Sequence, residues 1–281
     1  MKSPINIPIS KLHPFRGHPY QVRDDDEMDA LIESIQEQGI LTPLIVRPLE
    51  NTEDEYEIIS GHRRLHAARK AGISMIPAFV YALDRDAAAI ALVDSNLHRE
   101  HILPSEKAFA YKLKMEALKH QGKRTDLTLV QLAPKSAEVV ASDAGISKDT
   151  VKRYIRLTHL IPDLLALVDE GRISLTPAVE LSFLPEEIQY DLAEAIVCQD
   201  CTPSLSQSIL MKKLSQTGEL DLDRMLRILA QPKPNQAEKV SFKTDDIRRY
   251  FPKGYTPERM QETIIRLLTD YDRQRRRGLE R

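Results

Sequence analysis

The sequence contains no tryptophan, few aromatic residues and only two cysteines. Because aromatic residues make up 5% of the chain, recognition of unpaired bases by aromatic stacking is disfavoured. Two cysteines cannot build a disulfide framework, which is typical of a protein in a reducing cytoplasm. No apolar run reaches the roughly 18 residues of a membrane span, and the first residues lack the apolar core of a signal peptide. The composition therefore predicts a cytoplasmic protein with no membrane partner.

Charge of neither sign predominates, since 40 lysine and arginine residues face 42 aspartate and glutamate residues, for a net charge of -2. This balance excludes a uniformly basic surface that coats nucleic acid, but it allows a local basic face. A chain of 281 residues with 42% hydrophobic content is long enough for two or three domains.

The N-terminal third alternates between strand and helix patterns. The segments 5–9, 44–49, 55–60 and 76–83 are short apolar runs typical of strands. An amphipathic helical pattern ending at Gly39 follows the first run, and a second helix follows the third. This order predicts a small open sheet with helices packed on it.

From residue 84 onward, alanine-rich and amphipathic segments predict helices only. A polar segment with two prolines then predicts a linker. Beyond it, Thr256 and Pro257 mark the start of a terminal helix whose apolar stripe is interpreted as a dimer contact, or alternatively as packing onto its own chain. The predicted fold class is α+β and predominantly helical. The expected divisions are 1–92 for the α/β domain, 93–230 for the all-α domain, 231–238 for the linker and 239–281 for the C-terminal helical unit.

The segment "IISGHRRLHAARKAG" at 58–72 places two arginines where a strand turns into a helix. Helix N-termini carry partial positive charge and favour acidic side chains. Arg63 and Arg64 are therefore unfavourable there unless an anion joins them.

The segment "SAEVVASDAGISKDTVKRYIRLTHLIP" has the spacing of a helix-turn-helix. Ala141 allows two helices to approach, and Gly145 fits a left-handed turn between them. The second helix would read DNA in the major groove, and the alternative is an ordinary helix pair with a solvated basic face. The candidate DNA contacts lie at the start and on the basic face of this helix: Ser147, Lys148, Thr150, Lys152, Arg153 and Arg156.

A third motif, "DSNLHREH", ends the alanine-rich helix, so Asn96 and Arg99 are expected on one helical face. A carboxamide beside a guanidinium can hold phosphate oxygens, and the Asn96 oxygen can also bind Mg²⁺. The alternative is an arginine that complements the helix dipole.

Other motifs favour ordinary structure. The acidic run at 23–27 is typical of a helix start rather than of a metal site. Cys198 and Cys201 have no second pair nearby and are interpreted as incidental thiols. The "RQRRR" at 273–277 fits either a cationic helix end or non-specific DNA contact.

Taken together, "HPYQVR", "QGILTPLIVRP", "EIISGHRRLHAARKAG" and "SNLHREHILPSEKAFAYK", followed by the helix-turn-helix, resemble ParB-type partition proteins. The resemblance covers residues 5–185, and the remainder is similar only to plasmid- or mobile-element-type, RepB-like relatives. It implies a small N-terminal domain of the ParB/sulfiredoxin-like fold and a homodimer that binds a centromere-like site in double-stranded DNA. It also implies a location on the nucleoid or on a plasmid.

The resemblance further implies that the anion is CTP with Mg²⁺, slowly hydrolysed by a dimeric clamp on DNA. Asn96 would meet the metal, and Gln21 would act in hydrolysis by orienting water. The residues that match the family's nucleotide-binding boxes are Gln21, Arg23, Gly61, His62, Arg63, Arg64, Ser95, Asn96 and Arg99.

The sequence departs from the family pattern in three places. His62 and Ser95 each stand where the family usually has glutamate, and both changes remove negative charge near the expected phosphates. The chain also enters its first strand without the basic tail that stimulates a ParA-type ATPase, which argues against that partner.

Two other functions remain open. One is a helix-turn-helix transcriptional regulator with a vestigial nucleotide pocket, which the changes at His62 and Ser95 favour. The other is a small-molecule kinase of the same N-terminal fold, which would have no use for the helix-turn-helix. A sulfiredoxin-like activity is excluded, since no cysteine precedes Cys198.

Overall fold

A computed structural model describes residues 3–50, 52–97, 99, 101–124, 136–231, 248, 250–252 and 254–279. The chain divides into two compact units, Met1–Gln231 and Pro232–Arg281. The linker predicted at 231–238 lies, beyond its first residue, outside the described residues. Among the helices of the described part, none is long and apolar enough to cross a membrane.

The first unit begins with a five-stranded mixed sheet of strand order β1-β5-β3-β4-β2. The pairs β1–β5 and β3–β4 are antiparallel, and the pairs β3–β5 and β2–β4 are parallel. The four predicted strands are confirmed. The short β2 was not predicted, because three residues that include a proline give no alternating pattern. The strands are β1 (Ile5–Pro8), β2 (Leu12–Pro14), β3 (Leu44–Pro48), β4 (Tyr56–Ser60) and β5 (Met75–Val80).

Three helices flank this sheet: α1 (Asp26–Gln38), α2 (His62–Lys70) and α3 (Arg85–Asp94). Helix α2 packs on the sheet through Leu65 and Ala68, which join the apolar core of the strands. Helix α1 packs on α2 through the fully buried Met28, which clusters with Ala67. The predicted class, a small α/β domain within a predominantly helical α+β protein, is confirmed.

Helix α3 is shorter than expected. It ends at Asp94, whereas the sequence predicted a helix that continues through Asn96 and Arg99. The side chains of Ser95 and Asn96 both donate to the carbonyl of Leu92 at 2.9 Å, and such local bonds compete with helix propagation. The predicted domain boundary between residues 92 and 93 falls inside α3 and stays a prediction.

The rest of the first unit is helical, as predicted. Its core is formed by side chains such as Leu157, Leu164 and Leu192, each fully buried. Pro162 opens one of these helices at its first position, where its missing N–H costs nothing. The helices are α4 (Pro104–Arg124), α5 (Ser136–Asp143), α6 (Lys148–Arg156), α7 (Pro162–Asp169), α8 (Leu175–Leu181), α9 (Glu186–Gln199), α10 (Leu205–Gln216) and α11 (Leu222–Leu229).

The second unit contains the predicted terminal helix, α12 (Pro257–Leu279). Thr256 caps it by accepting from the Arg259 N–H at 3.4 Å. Met260 is 3% exposed, whereas Leu267, Leu268 and Tyr271 are at least 59% exposed. The apolar stripe is therefore present, and its role as a dimer contact stays a prediction.

Candidate functional sites

Three segments that are distant in sequence meet around two adjoining cavities of about 190 and 730 Å³. Gln21, Arg63 and Arg99 line both cavities. The smaller cavity is further lined by Gly61, His62, Arg64 and Asn96, and the larger one by Arg23. All but one of the residues matched to the nucleotide boxes thus lie together; Ser95 instead lines a separate apolar cavity.

Gly61 is the N-cap of α2 and adopts φ +109°, in the left-handed region. A Cβ at this position would lie 2.8 Å from Leu44 Cγ and 3.2 Å from an Arg64 guanidinium nitrogen. Only glycine therefore allows β4 to pass directly into α2. The first N–H groups of α2, which a helix leaves unpaired, follow at once at the rim of the cavity.

Arg63 is already paired with carboxylates. It contacts Asp25 at 3.3 Å and Glu27 at 3.2 Å, and its side chain is 29% exposed. Both acidic residues line the larger cavity, at the start of α1. The anion beside Arg63 in this structure therefore belongs to the protein itself, and an incoming phosphate would compete with these carboxylates.

Arg64 points the other way, toward the loop before β3. Its guanidinium donates to the carbonyls of Thr42 and Pro43, the latter at 2.9 Å. Burial lowers the pKa of Arg64 below its usual range. With neutral acceptors only in these contacts, Arg64 keeps an unneutralised positive charge at the cavity, which favours an anion there.

His62 stacks on His18 at the back of the smaller cavity, with ring centroids 3.6 Å apart and planes tilted by 30°. Burial lowers the pKa of His62 to about 3 and the pKa of His18 to about 4. His62 Nε2 also accepts from the Phe15 N–H at 3.3 Å, which requires an unprotonated nitrogen. The histidine that replaces the family's glutamate is thus a neutral wall of the cavity.

Asn96 and Arg99 lie beyond α3 but still contact each other, since Arg99 donates to Asn96 Oδ1 at 3.2 Å. The expectation of one helical face is wrong, whereas the pairing of the two side chains is present. Ser95 Oγ accepts from Asn96 Nδ2 at 3.1 Å and so positions the carboxamide from outside the cavity.

Mg²⁺ fits this donor set only with phosphate oxygens as its main ligands. Among the described residues, no three His, Cys, Asp or Glu side chains cluster to hold a metal. The Asn96 oxygen is a hard ligand of the kind that Mg²⁺ accepts, and such ions commonly take few protein ligands beside a bound triphosphate.

The helix-turn-helix has the predicted geometry. Helices α5 and α6 pack through Val140 and Val151, both fully buried, and Ala141 is 6% exposed at their close approach. Gly145 makes the turn with φ +65°. Ser147 caps α6 by accepting from the Thr150 N–H at 3.1 Å.

The basic residues of α6 are not equivalent. Arg156 donates to Ser182 Oγ at 3.0 Å and lies 4.0 Å from the Phe183 ring, so it braces α6 against the end of α8. Arg153 contacts the Thr176 hydroxyl in α8. Lys148 pairs with Glu138 at 2.9 Å. Lys152, with a side chain that is 59% exposed and 3.7 Å from Asp149, is the most available cation of the set.

Several cavity residues were missed by sequence reasoning. Asp25 and Glu27 belong to the acidic run that was interpreted as helix-start electrostatics, and Asp25 indeed caps α1 by accepting from the Met28 N–H at 2.9 Å. Glu106 lies at the start of α4, where its Oε1 accepts from the Gln21 N–H at 2.8 Å. The Gln21 Oε1 in turn accepts from Arg23 at 3.4 Å. These acidic residues lie at the site only because of the tertiary fold, so no local pattern could have identified them.

Comparisons with known proteins point to one family. A family model described as "ParB N-terminal domain" matches residues 2–97. The chromosome-partitioning protein Spo0J of Thermus thermophilus is 34% identical over 194 residues, which cover 68% of this chain and 65% of that protein. A probable chromosome-partitioning protein ParB of Vibrio cholerae is 30% identical over 247 residues, which cover 86% of this chain and 77% of that protein. A C-terminally truncated ParB from Caulobacter crescentus complexed with CTP-gamma-S is 27% identical, covering 70% of this chain and 99% of that chain, and its TM-score of 0.33 is too low to bear on the geometry.

Proposed function

The chain belongs to the ParB family, and from this premise we propose that it is a dimeric, sequence-specific DNA-binding partition protein whose N-terminal cavity binds CTP. The family predicted from the sequence motifs is thus the right one. Relatives named as chromosome-partitioning proteins support a role in DNA segregation. Segregation of a plasmid, a chromosome or a mobile element, on the nucleoid or the plasmid itself, is the role that follows.

One observation carries the nucleotide part of this proposal. Gln21, the Gly61–Arg64 segment and the pair Asn96 and Arg99 come from separate parts of the chain, yet they line two adjoining cavities. Guanidinium groups and a carboxamide that converge on a helix N-terminus form a phosphate-binding arrangement. CTP, rather than another nucleotide, follows from the likeness of these motifs to the family's nucleotide-binding boxes.

Each side chain then has a definite task. The N-terminal N–H groups of α2 and Arg64 would hold the phosphates, and Arg63 would join them after leaving Asp25 and Glu27. Asn96 would hold Mg²⁺ through its oxygen, and the ion would neutralise phosphate charge. Gln21 lines both cavities and would orient a water molecule for slow hydrolysis, with its backbone fixed by Glu106.

The DNA part rests on α6. Its N-terminal residues would face base edges in the major groove, and Lys152 would contact a phosphate. Arg153 and Arg156 would act mainly by holding α6 on α8, because their guanidinium groups are already bonded there. Closure of the dimer on DNA would link the two sites, so that each ligand raises the affinity for the other.

The test is a titration of CTP, with Mg²⁺, into the full chain in the presence and absence of its DNA site. The site is first recovered by immunoprecipitation of DNA from cells. We expect a sharp peak with broad shoulders, as a sliding clamp would give, and tighter CTP binding when the duplex is present. No CTP binding under either condition would defeat the clamp.

A DNA-binding regulator with a vestigial pocket is the second candidate. It is favoured by the pairing of Arg63 with two protein carboxylates and by the neutral His62. Such a protein would give an isolated peak without shoulders and would not turn over CTP, whereas a clamp would give a peak with shoulders and slow CTP turnover.

A further inference from the structure

Helix α4 connects the two candidate sites. At its N-terminal end, Glu106 accepts hydrogen bonds from the Gln21 N–H at 2.8 Å and the Leu103 N–H at 3.0 Å. Along its length, Tyr111 packs in the same apolar cluster as Val140 of α5. The helix therefore contacts both the rim of the nucleotide cavity and the helix-turn-helix.

Three residues beyond Tyr111, helix α4 carries a buried ammonium. The Lys114 side chain is 1% exposed and is bonded to Asp94 and to Asp143, the latter at 2.6 Å. The two carboxylates are 46% and 43% exposed. A buried charge is costly without partners, and a well-packed apolar side chain is often at least as stable in its place. Stability alone therefore gives no reason for a lysine here.

The two carboxylates occupy corresponding positions on the helices that carry the sites. Asp94 is the last residue of α3, directly before the segment that holds Asn96 and Arg99. Asp143 is the last residue of α5, directly before the turn at Gly145. The ammonium thus joins the end of the nucleotide-site helix to the end of the first DNA-domain helix. A shift of either end would leave a buried charge with one partner fewer.

The geometry points to Lys114 as the positioning residue that couples the nucleotide cavity to the helix-turn-helix. The inference rests on the proposed function, because it assigns a carrier to the linkage between CTP and DNA. When nucleotide binding shifts Asp94 and Asn96, the shared ammonium transmits the shift to Asp143 at the end of α5. When DNA fixes α5 and α6, the same ammonium restrains Asp94 and hence Asn96. A rival path exists in Leu97, which packs against clusters on both sides.

Lys114→Met separates these paths. Methionine keeps much of the apolar stem, and both carboxylates can rehydrate because they are nearly half exposed, so the variant is expected to fold. Lys119→Met is the matched control, since Lys119 lies on the solvent face of the same helix. CTP affinity is measured for each protein with and without the duplex recovered by immunoprecipitation, together with the thermal midpoint.

We expect the separate affinities of Lys114→Met to stay within about threefold of the parent, while the ratio of CTP affinities with and without DNA falls by roughly 2- to 30-fold. Lys119→Met should keep the parent ratio. A parent-like ratio in Lys114→Met would overturn the inference and leave the proposed function intact. Absence of CTP binding in the parent would instead overturn the proposed function.

A second readout needs no nucleotide. Amide hydrogen exchange is followed in peptides that cover residues 92–97, with and without the duplex. Binding of DNA at the helix-turn-helix should slow this exchange in the parent and in Lys119→Met, and leave it unchanged in Lys114→Met. Equal protection in all three proteins, or protection in none, would overturn the coupling through Lys114.

Discussion

If the cavity binds CTP, the two carboxylates beside Arg63 are expected to lower its affinity for the nucleotide. Asp25 and Glu27 hold this guanidinium at 3.3 and 3.2 Å. If Arg63 binds a phosphate, both contacts must break first. Replacing both residues in the variant Asp25→Asn, Glu27→Gln should therefore raise the affinity for CTP. The helix start should survive, because asparagine caps as well as aspartate does and the cap is made by the side-chain oxygen.

The expected magnitude follows from exposure. The two carboxylate side chains are 42% and 80% exposed, and exposed ion pairs contribute about 0.2–1 kcal/mol each. The loss of both pairs thus frees about 0.5–2 kcal/mol, which corresponds to a roughly 2- to 30-fold gain in affinity. Because exposed charges are screened by salt, the gain should shrink when the ionic strength is raised toward about 1 M.

The assay is an equilibrium titration of CTP with Mg²⁺ at low and high salt, without DNA. Asp26→Asn is the control, since it removes one charge from the same helical turn and Asp26 lines neither cavity. Its effect on affinity should be the smaller one at either salt concentration. An unchanged affinity in the double variant would refute the competition between carboxylates and phosphate. A weakened affinity would also refute this competition, since it would show that the carboxylates help to bind CTP, as ligands of the metal ion would.

Three further predictions concern the cavity and α6. Gly61→Ala should destabilise the fold by about 2–4 kcal/mol, because the alanine would have a left-handed backbone and its Cβ would clash with the sheet. Gly72→Ala should destabilise it by only about 1 kcal/mol, because Gly72 has φ +74° but open space around it. The free energy of unfolding should fall as the pH is lowered from about 6.5 to 4, because the unfolded chain takes up protons at His18 and His62 whereas the folded chain keeps both imidazoles neutral. His62→Gln should make this pH dependence shallower. Lys152→Ala should weaken DNA binding and lower the slope of log affinity against log salt by about 1 without loss of stability, whereas Arg156→Ala should lower the thermal midpoint.

Denaturant unfolding checks the first two of these predictions, and salt-dependent binding to the duplex checks the third. Equal losses of stability at the two glycines would show that the sheet yields to a methyl group. A pH dependence that survives His62→Gln unchanged would assign the acid sensitivity elsewhere. A normal salt slope in Lys152→Ala would remove that side chain from the phosphate contacts.

Local patterns predicted most of the elements, and the resemblance to the family implied that the motifs meet, but neither predicted the contacts between distant charges. The left-handed backbone at Gly145 was predictable, because a positive φ favours glycine whatever the surroundings. The end of α3 at Asp94 was not, since the side chains of Ser95 and Asn96 had to be seen to bond the preceding turn. The pairing of Arg63 with the start of α1 depends on the packing of α1 on α2, which no local pattern encodes.

The partners of Arg63 and Arg64 also depend on tertiary packing and could not be predicted from the sequence. In the sequence, Arg63 and Arg64 are a repulsive pair at a helix N-terminus, and an external anion is the simplest remedy. In the structure, each arginine has partners within the protein: two exposed carboxylates pair with Arg63, and two backbone carbonyls accept from Arg64. Under the proposed function, a triphosphate would displace the Asp25 and Glu27 carboxylates from Arg63, because exposed ion pairs are weak and a triphosphate carries more charge than the two carboxylates. If the cavity fills and empties as the proposed switch, it needs partners of this strength for Arg63, because a strongly buried ion pair would resist exchange.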